Sequence, residues 1–313
     1  MKPKFIMMVG LVASGKTQKA HELSEEYDAT IFSSDALREE LYGDINDQTH
    51  NHELFNELHR RIKECLQSGK SAIYDATNLN YKRRMAFLAE LKYIPCEKTC
   101  ILMATPYEEC LKRNAKRERK VPEEVIERMY KNITIPFFYE GWNYIEIHYG
   151  EEQYRGYYGD PADFIAKTMD FDQENKHHTL TLGEHSKAAL YKLSCINKEQ
   201  WTLGDYSMIV ATILHDNGKC FCKSFYNSKG EITENATYYN HHFVGAYNSL
   251  FYDIQDDQGW VVLYVATLIQ WHMQPYFWER DNNVKMHNKY RNLWGEELYD
   301  DVMELHRVDR VAH

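Results

Sequence analysis

No long apolar run occurs in this chain of 313 residues. Nothing approaches the roughly 20 consecutive apolar residues of a membrane span, so no membrane partner is expected. Lys2 and Lys4 ahead of Phe5 to Val9 imitate the start of a signal peptide, but the stretch is short and runs straight into a glycine turn. A regular cysteine framework is missing too. Seven cysteines, an odd number without even spacing, argue for reduced thiols and a cytoplasmic protein. Positive charge is in deficit: 37 Lys and Arg stand against 47 Asp and Glu, a formal net charge of −10. That balance excludes a protein that coats nucleic acid non-specifically. The deficit is uneven, with 22 basic against 23 acidic residues over 1–150 and 15 against 24 over 151–313. The length and a hydrophobic content of 43% suit two domains, each with its own core.

What the chain does hold begins at Gly10 to Thr17, Gly-Leu-Val-Ala-Ser-Gly-Lys-Thr, a full G-x-x-x-x-G-K-[ST] match directly after an apolar strand. Strand, glycine turn and helix start are the setting in which backbone N–H groups cradle phosphates. Gly10, Ala13, Ser14 and Gly15 are therefore expected to wrap a nucleoside triphosphate. Lys16 would lie on its β- and γ-phosphates, and the Thr17 hydroxyl on Mg²⁺. The alternative is a chance match in an ordinary strand-turn-helix.

Strand and helix signals alternate after this loop: helix 16–27, strand 29–32, helix 49–68, strand 71–74, helix 80–93, strand 99–104, and a helix opening at Pro106. This predicts an α/β domain, a parallel sheet with helices on both faces over residues 1–150, whose ligands sit beyond the carboxyl ends of the strands. Three polar groups follow those ends. The first is Ser33-Ser34-Asp35 with Arg38, where Asp35 is a candidate base for an incoming hydroxyl or, alternatively, the cap of the helix 36–41. Asp75-Ala76-Thr77-Asn78 is the second, with Asp75 a candidate for Mg²⁺ or its water shell and Asn78 for a phosphate or the substrate; a turn cluster is the alternative. The third is Lys112 to Lys120, six positive charges in nine residues ahead of Val121-Pro122. It reads as a lid whose arginines close on the γ-phosphate, or as a solvated helix face.

Together these residues resemble the kinase domain of phage-type 5′-hydroxyl polynucleotide kinases over roughly 4–135. The resemblance rests on the P-loop; Asp35 with Arg38; Asp75 to Asn80 with Arg83-Arg84; and Lys112 to Arg117 before Val121-Pro122. It implies that Asp35 is the general base on the 5′-OH, that Arg38 grips the acceptor's terminal phosphate, and that Arg113 and Arg117 are lid arginines on the ATP phosphates. Zeta-toxin-like and small-molecule kinases share the P-loop, such a base and a lid arginine.

After Gly150 the pattern changes. Glu151 to Asp163 is rich in Tyr, Gly and acid, and 151–174 reads as a linker. Beyond it the chain is helical and rich in histidine: His177-His178, His185, His215-Asp216 closing an apolar helix 206–214, His241-His242, His272, and Asp309 in a last helix 296–311. Asn217-Gly218 is a candidate C-cap for the 206–214 helix. A single His-Asp pair is an ordinary core or capping arrangement. Repetition on helices among apolar residues is not, because several buried imidazoles and carboxylates need a counter-ion. Nitrogen and oxygen donors suit Mn, Fe, Ni, Co or Zn, and Cys220-x-Cys222 is read as incidental.

The ordered set, with Lys219 after the doublet and Leu305 to Asp309 at the end, resembles the HD superfamily of metal-dependent phosphohydrolases over about 177–311. It implies an all-α HD domain over 175–313. There His185, His215, Asp216 and Asp309 would hold a first metal, His241 and His272 a second, and Lys219 a substrate phosphate. The pairing resembles HD-type polynucleotide kinases, with the two modules in reverse order. It implies healing of nucleic-acid ends, RNA favoured over DNA: 5′-OH phosphorylation by 1–150 and hydrolysis of a 2′,3′-cyclic phosphate or phosphomonoester by 175–313. A small-molecule or nucleotide kinase joined to a nucleotidase, and an ATP-regulated RNA-binding switch, are the other readings.

Overall fold

The computed structural model describes residues 2–176, 179–195, 203–256 and 259–312. His177 and His178 lie outside the described residues. Two compact units emerge, one formed by 1–129 with 136–152, the other by 130–135 with 153–313.

The first unit alternates as expected: β1 (Lys4–Val9), α1 (Lys16–Tyr27), β2 (Ala29–Ser33), α2 (Ser34–Tyr42), α3 (Asn51–Gln67), β3 (Ser71–Asp75), α4 (Tyr81–Glu90), β4 (Glu97–Ala104), α5 (Tyr107–Ala115), α6 (Glu123–Tyr130) and β5 (Tyr144–Tyr149). The strands form one parallel sheet in the order β2-β3-β1-β4-β5. Five of the six β1 residues are buried, as a central strand covered on both faces requires. Successive side chains point to opposite faces. Ile6 and Met8 pack with Ala20 and Leu23 of α1, while Phe5 meets Phe87 edge-on and stacks on Trp142. β5, an edge strand with exposed or half-buried residues throughout, is the strand the sequence reading omits.

Arg84 and Glu140 hold the second face together. They form a bidentate ion pair, with Nη2 to Oε1 2.6 Å and Nε to Oε2 2.8 Å, and both side chains are almost fully buried. Arg84 Nη1 also donates to the Asn78 carbonyl, and Trp142 Nε1 to Glu140 Oε2. Removing one member of a buried pair strands the other charge. Glu140→Ala is therefore expected to cost about 3–5 kcal/mol in urea unfolding, with Arg84→Met/Glu140→Leu recovering much of it.

In the second unit come α7 (Pro161–Lys167), α8 (Leu182–Ser194), α9 (Leu203–Leu214), α10 (Lys219–Cys222), β6 (Ser224–Tyr226), β7 (Ile232–Thr237), α11 (His241–Ser249), α12 (Trp260–Trp271), α13 (Gln274–Arg280), α14 (Val284–Trp294) and α15 (Glu296–Arg310). α12 is buried from Val261 to Trp271, the mark of a helix surrounded by others. Two expectations are corrected here. The unit is helical but not all-α, since β6 and β7 form an antiparallel hairpin; its turn is fixed by Asn227 Oδ1 accepting from Lys229 and Glu231 N–H and by Gly230 at φ 81°. The stretch 151–174 is also not all linker. Asp160 accepts from the Ala162 N–H with Pro161 at the first position of α7, a strong helix start, and Pro161 and Phe164 are buried.

No helix among the described residues is long and apolar enough to cross a membrane.

Candidate active sites

The loop between β1 and α1 has the geometry of a phosphate cradle. Gly15 sits at φ 96° and Ala13 at φ 62°, left-handed conformations that turn successive N–H groups inward. A side chain at Gly10 would press to 2.9 Å from the Met103 Cβ on β4, so only glycine fits. Ser14 is buried, and its carbonyl accepts from Thr105 Oγ1 at 3.0 Å. Lys16 is nearly buried and its Nζ donates to the Leu11 carbonyl at 2.6 Å. Burial, and to a lesser degree the positive charge of Arg117, pull its pKa below the usual lysine range against the opposing pull of Asp75 and Asp35. Thr17 Oγ1 donates to Asp75 Oδ2 at 2.9 Å. A hydroxyl and a carboxylate thus meet beside the lysine, the donor pair that holds Mg²⁺ on a bound nucleotide in P-loop proteins. Asn78, a candidate for a phosphate or the substrate, stands at φ 47° and braces its loop with Nδ2 donating to the Met8 carbonyl at 2.9 Å.

Asp35 stands in the first turn of α2, after the C-terminal end of β2. Ser33, not Asp35, caps that helix, its Oγ accepting from the Ala36 N–H at 3.4 Å. Asp35 Oδ1 accepts from Arg38 Nη1 at 3.1 Å. Arg38 is buried and also donates to Asn51 Oδ1 at 3.0 Å, so in this structure it positions Asp35. Across the last turn of α5 and the turn that leads to α6 the basic run divides. Lys112 pairs with Glu109 on the surface. The Arg113 guanidinium lies close to Gly15 and pairs with Glu151 at 2.8 Å. Asn114 closes the base of the turn by exchanging hydrogen bonds with Val121. Arg119, which sequence reasoning did not single out within the run, reaches Asp35 Oδ2 at 2.8 Å.

The second unit gathers the expected histidines and aspartates into two buried groups of three, His185, His215 and Asp309, and Asp216, His241 and His272. Every histidine of the set turns its Nδ1 to a backbone carbonyl: His185 to Ala312 at 3.2 Å, His215 to Thr212 at 2.8 Å, His241 to Tyr238 at 2.8 Å and His272 to Ile269 at 2.7 Å. Those carbonyls accept the Nδ1–H and leave the lone pair on Nε2. The Nε2 atoms then converge, His185 on His215 at 3.1 Å and His241 on His272 at 3.4 Å. Lone pairs so close repel unless a proton or a cation lies among them, and the donor set fits a divalent transition metal.

Asp216 faces both groups. Its Oδ2 is 3.4 Å from His215 Nε2 and 3.5 Å from His185 Nε2, and its Oδ1 is 3.2 Å from His241 Nε2 and 3.9 Å from His272 Nε2. Burial raises the Asp216 carboxyl, but Lys219 and His215 outweigh it and hold the pKa well below the usual range. Burial likewise opposes charge on His215, yet Asp216 and Asp309 lift it to about 10. For His272, burial and the neighbouring His241 and His215 drive the pKa down to about 3. Lys219 is itself buried, donating to Asp216 Oδ2 at 2.7 Å and to Gln173 Oε1 at 2.8 Å. Its Nζ is thus engaged where a free phosphate ligand was expected. Tyr276, missed in the sequence because no pattern marks it, donates to Asp309 Oδ2 at 3.0 Å. Cys220 and Cys222 belong to no ligand group among the described residues.

Gly218 is not the left-handed C-cap expected of it, since it lies at φ −69°. A Cβ there would stand 2.0 Å from the His241 carbonyl, so the glycine lets the turn after His215-Asp216 press against α11 and brings the two groups together.

Residues 5–136 match the family model described as AAA domain. This match and the parallel sheet decide the first unit. It has a P-loop kinase fold. The L-seryl-tRNA(Sec) kinase of Methanococcus maripaludis is 26% identical over 147 residues, 45% of this chain and 57% of that protein. The chain thus spans little more than half the length of this curated relative. Among solved structures, a putative kinase from Chloroflexus aurantiacus is 18% identical with a TM-score of 0.40, covering 47% of this chain and 85% of that one. A chain of the Pnkp1/Rnl/Hen1 RNA repair complex is 20% identical with a TM-score of 0.35, covering 41% of this chain and 42% of its own.

Proposed function

We propose that the chain heals nucleic-acid ends in the cytoplasm. On this reading residues 1–150 transfer the γ-phosphate of ATP to a 5′-OH, RNA favoured, and the HD-type helical unit hydrolyses a 2′,3′-cyclic phosphate or phosphomonoester. The observation that carries the reading is the pairing in one chain of a P-loop and an acceptor-side carboxylate with two buried His/Asp groups that share Asp216. In the kinase, Lys16 and Thr17 would hold the Mg²⁺ nucleotide with Asp75, and Arg113 and Arg117 would neutralise charge developing on the transferred phosphoryl group. Asp35, oriented by Arg38, would take the proton of the attacking hydroxyl. In the second site His185, His215, Asp216 and Asp309, with His241 and His272, would hold one or two ions of Mn, Ni, Co or Fe. Such ions supply Lewis acidity that makes an attacking water acidic enough to ionise near neutral pH. Tyr276 and Lys219 fix the carboxylates of Asp309 and Asp216, and four backbone carbonyls fix the histidine tautomers.

The acceptor is tested by offering γ-labelled ATP with a 5′-OH RNA, a 5′-OH DNA and free nucleosides. Label should enter the RNA above the others. Label entering nucleosides alone would move the chain to the small-molecule kinases.

A further inference from the structure

Asp35 would carry the acceptor chemistry, yet both of its oxygens are engaged. Oδ1 is held by Arg38 from its own helix, and that bond comes with the fold. Oδ2 is held at 2.8 Å by Arg119, which belongs to the turn between α5 and α6 and is one-third exposed at 32%. The rest of the Arg119 guanidinium is used on the same side: Nε donates to Asn46 Oδ1 at 2.9 Å and Nη2 to the Ile45 carbonyl at 3.2 Å. All three nitrogens therefore bind oxygens around the acceptor carboxylate, although the turn also carries Arg117, whose charge acts on Lys16.

We propose that Arg119 is a latch on Asp35 that keeps water and neutral hydroxyls from being phosphorylated until an anionic acceptor displaces it. The proposal rests on the kinase reading above. In the reaction the latch suppresses, a water oxygen bonds to the γ-phosphorus, the β–γ bridging oxygen leaves with ADP, and the water proton passes to Asp35. While Arg119 holds Oδ2, that oxygen accepts its hydrogen bond from the guanidinium in place of an incoming hydroxyl. An acceptor whose hydroxyl adjoins a phosphate brings oxygens that can replace those of Asp35, Asn46 and Ile45 on the planar guanidinium. A nucleoside brings none of that charge.

The test uses the full chain. In Arg119→Ala, ATP hydrolysis without acceptor is expected to rise about fivefold, the scale on which one partly exposed ion pair can hold a group back. The preference in kcat/KM for a nucleoside 3′-monophosphate over the nucleoside should fall by a similar factor. Arg119→Lys keeps the charge without the fork and should lie between. Adding Asp35→Asn to Arg119→Ala should return hydrolysis to the wild-type level. Hydrolysis unchanged or lowered in Arg119→Ala, or an unchanged preference, overturns the latch. Wild type that labels neither of these nor a 5′-OH RNA overturns the kinase reading, and the latch with it; wild type that labels them while Arg119→Ala shows no rise overturns the latch alone.

Discussion

His215→Ala with Asp216→Ala is expected to strip the helical unit of its metal and to abolish opening of an oligonucleotide 2′,3′-cyclic phosphate. After dialysis against Mn, Ni or Co, the wild type should retain two equivalents, one for each group of three, and the variant none. The size of the effect follows from where these side chains stand. His215 belongs to one group, while Asp216 turns one oxygen to each, so the double change removes a ligand from both. The side chains left behind are three buried imidazoles with their Nδ1 committed to carbonyls and Asp309, held by Tyr276, and they cannot swing to replace what is lost. Metal content separates this outcome from simple loss of activity, and His215→Gln with Asp216→Asn keeps the volume where the alanines unfold the unit. A variant that opens the cyclic phosphate as fast as wild type would show that the two groups are not the site.

The residues of the two buried groups were legible as candidate ligands because each lies on or beside a helix, where local pattern gives the element and the residue type gives the candidate chemistry. Their grouping was not. The resemblance makes Asp216 a ligand of one metal, and only distances reveal that its two oxygens look to different histidine pairs. The resemblance gives Lys219 a substrate phosphate, whereas Gln173, 46 residues away, and Asp216 engage its Nζ. Arg119 lay inside a run already marked as a lid, but its partner Asp35 is 84 residues earlier, and spacing carries no information across such a gap.

The same division holds for the fold. β1 and the P-loop are local features, a buried strand whose alternation feeds both faces and a turn whose glycines are dictated by φ and by Met103. β5 closes the sheet on one edge and interleaves Ile145 and Ile147 with Glu146 and His148, so it lacks the continuous apolar run of the inner strands. α7 did carry its start signal in Asp160-Pro161, but the tyrosines and glycines before it pointed to a linker. Gly218 shows the limit from another side. A glycine after a helix has two explanations, a left-handed turn or a close approach, and the second depends on a carbonyl of α11 that is distant in the chain.

For the kinase site, Asp35→Asn is expected to lower phosphoryl transfer to a 5′-OH end by about 10²–10⁴-fold in kcat, the range a positioned general base contributes. The change is nearly isosteric, so α2 and its Ser33 cap should stand. On the proposed reading Lys16, Thr17 and Asp75 would form the ATP side, and KM for ATP should therefore move little. Lys16→Met gives the contrasting pattern. It removes the charge from the phosphates and should cost about 10²–10³-fold in rate, as loss of a preorganised charge on a transferring group does. The two variants part the three readings of the chain. A polynucleotide kinase loses transfer to the strand end in both, and a small-molecule kinase loses transfer to its own acceptor in both. A pure ATP-regulated RNA-binding switch would show Asp35→Asn binding ATP and RNA like wild type, with no transfer to be lost. If transfer persists at the wild-type kcat in Asp35→Asn while the acceptor KM rises, Asp35 binds the acceptor and another group takes its proton.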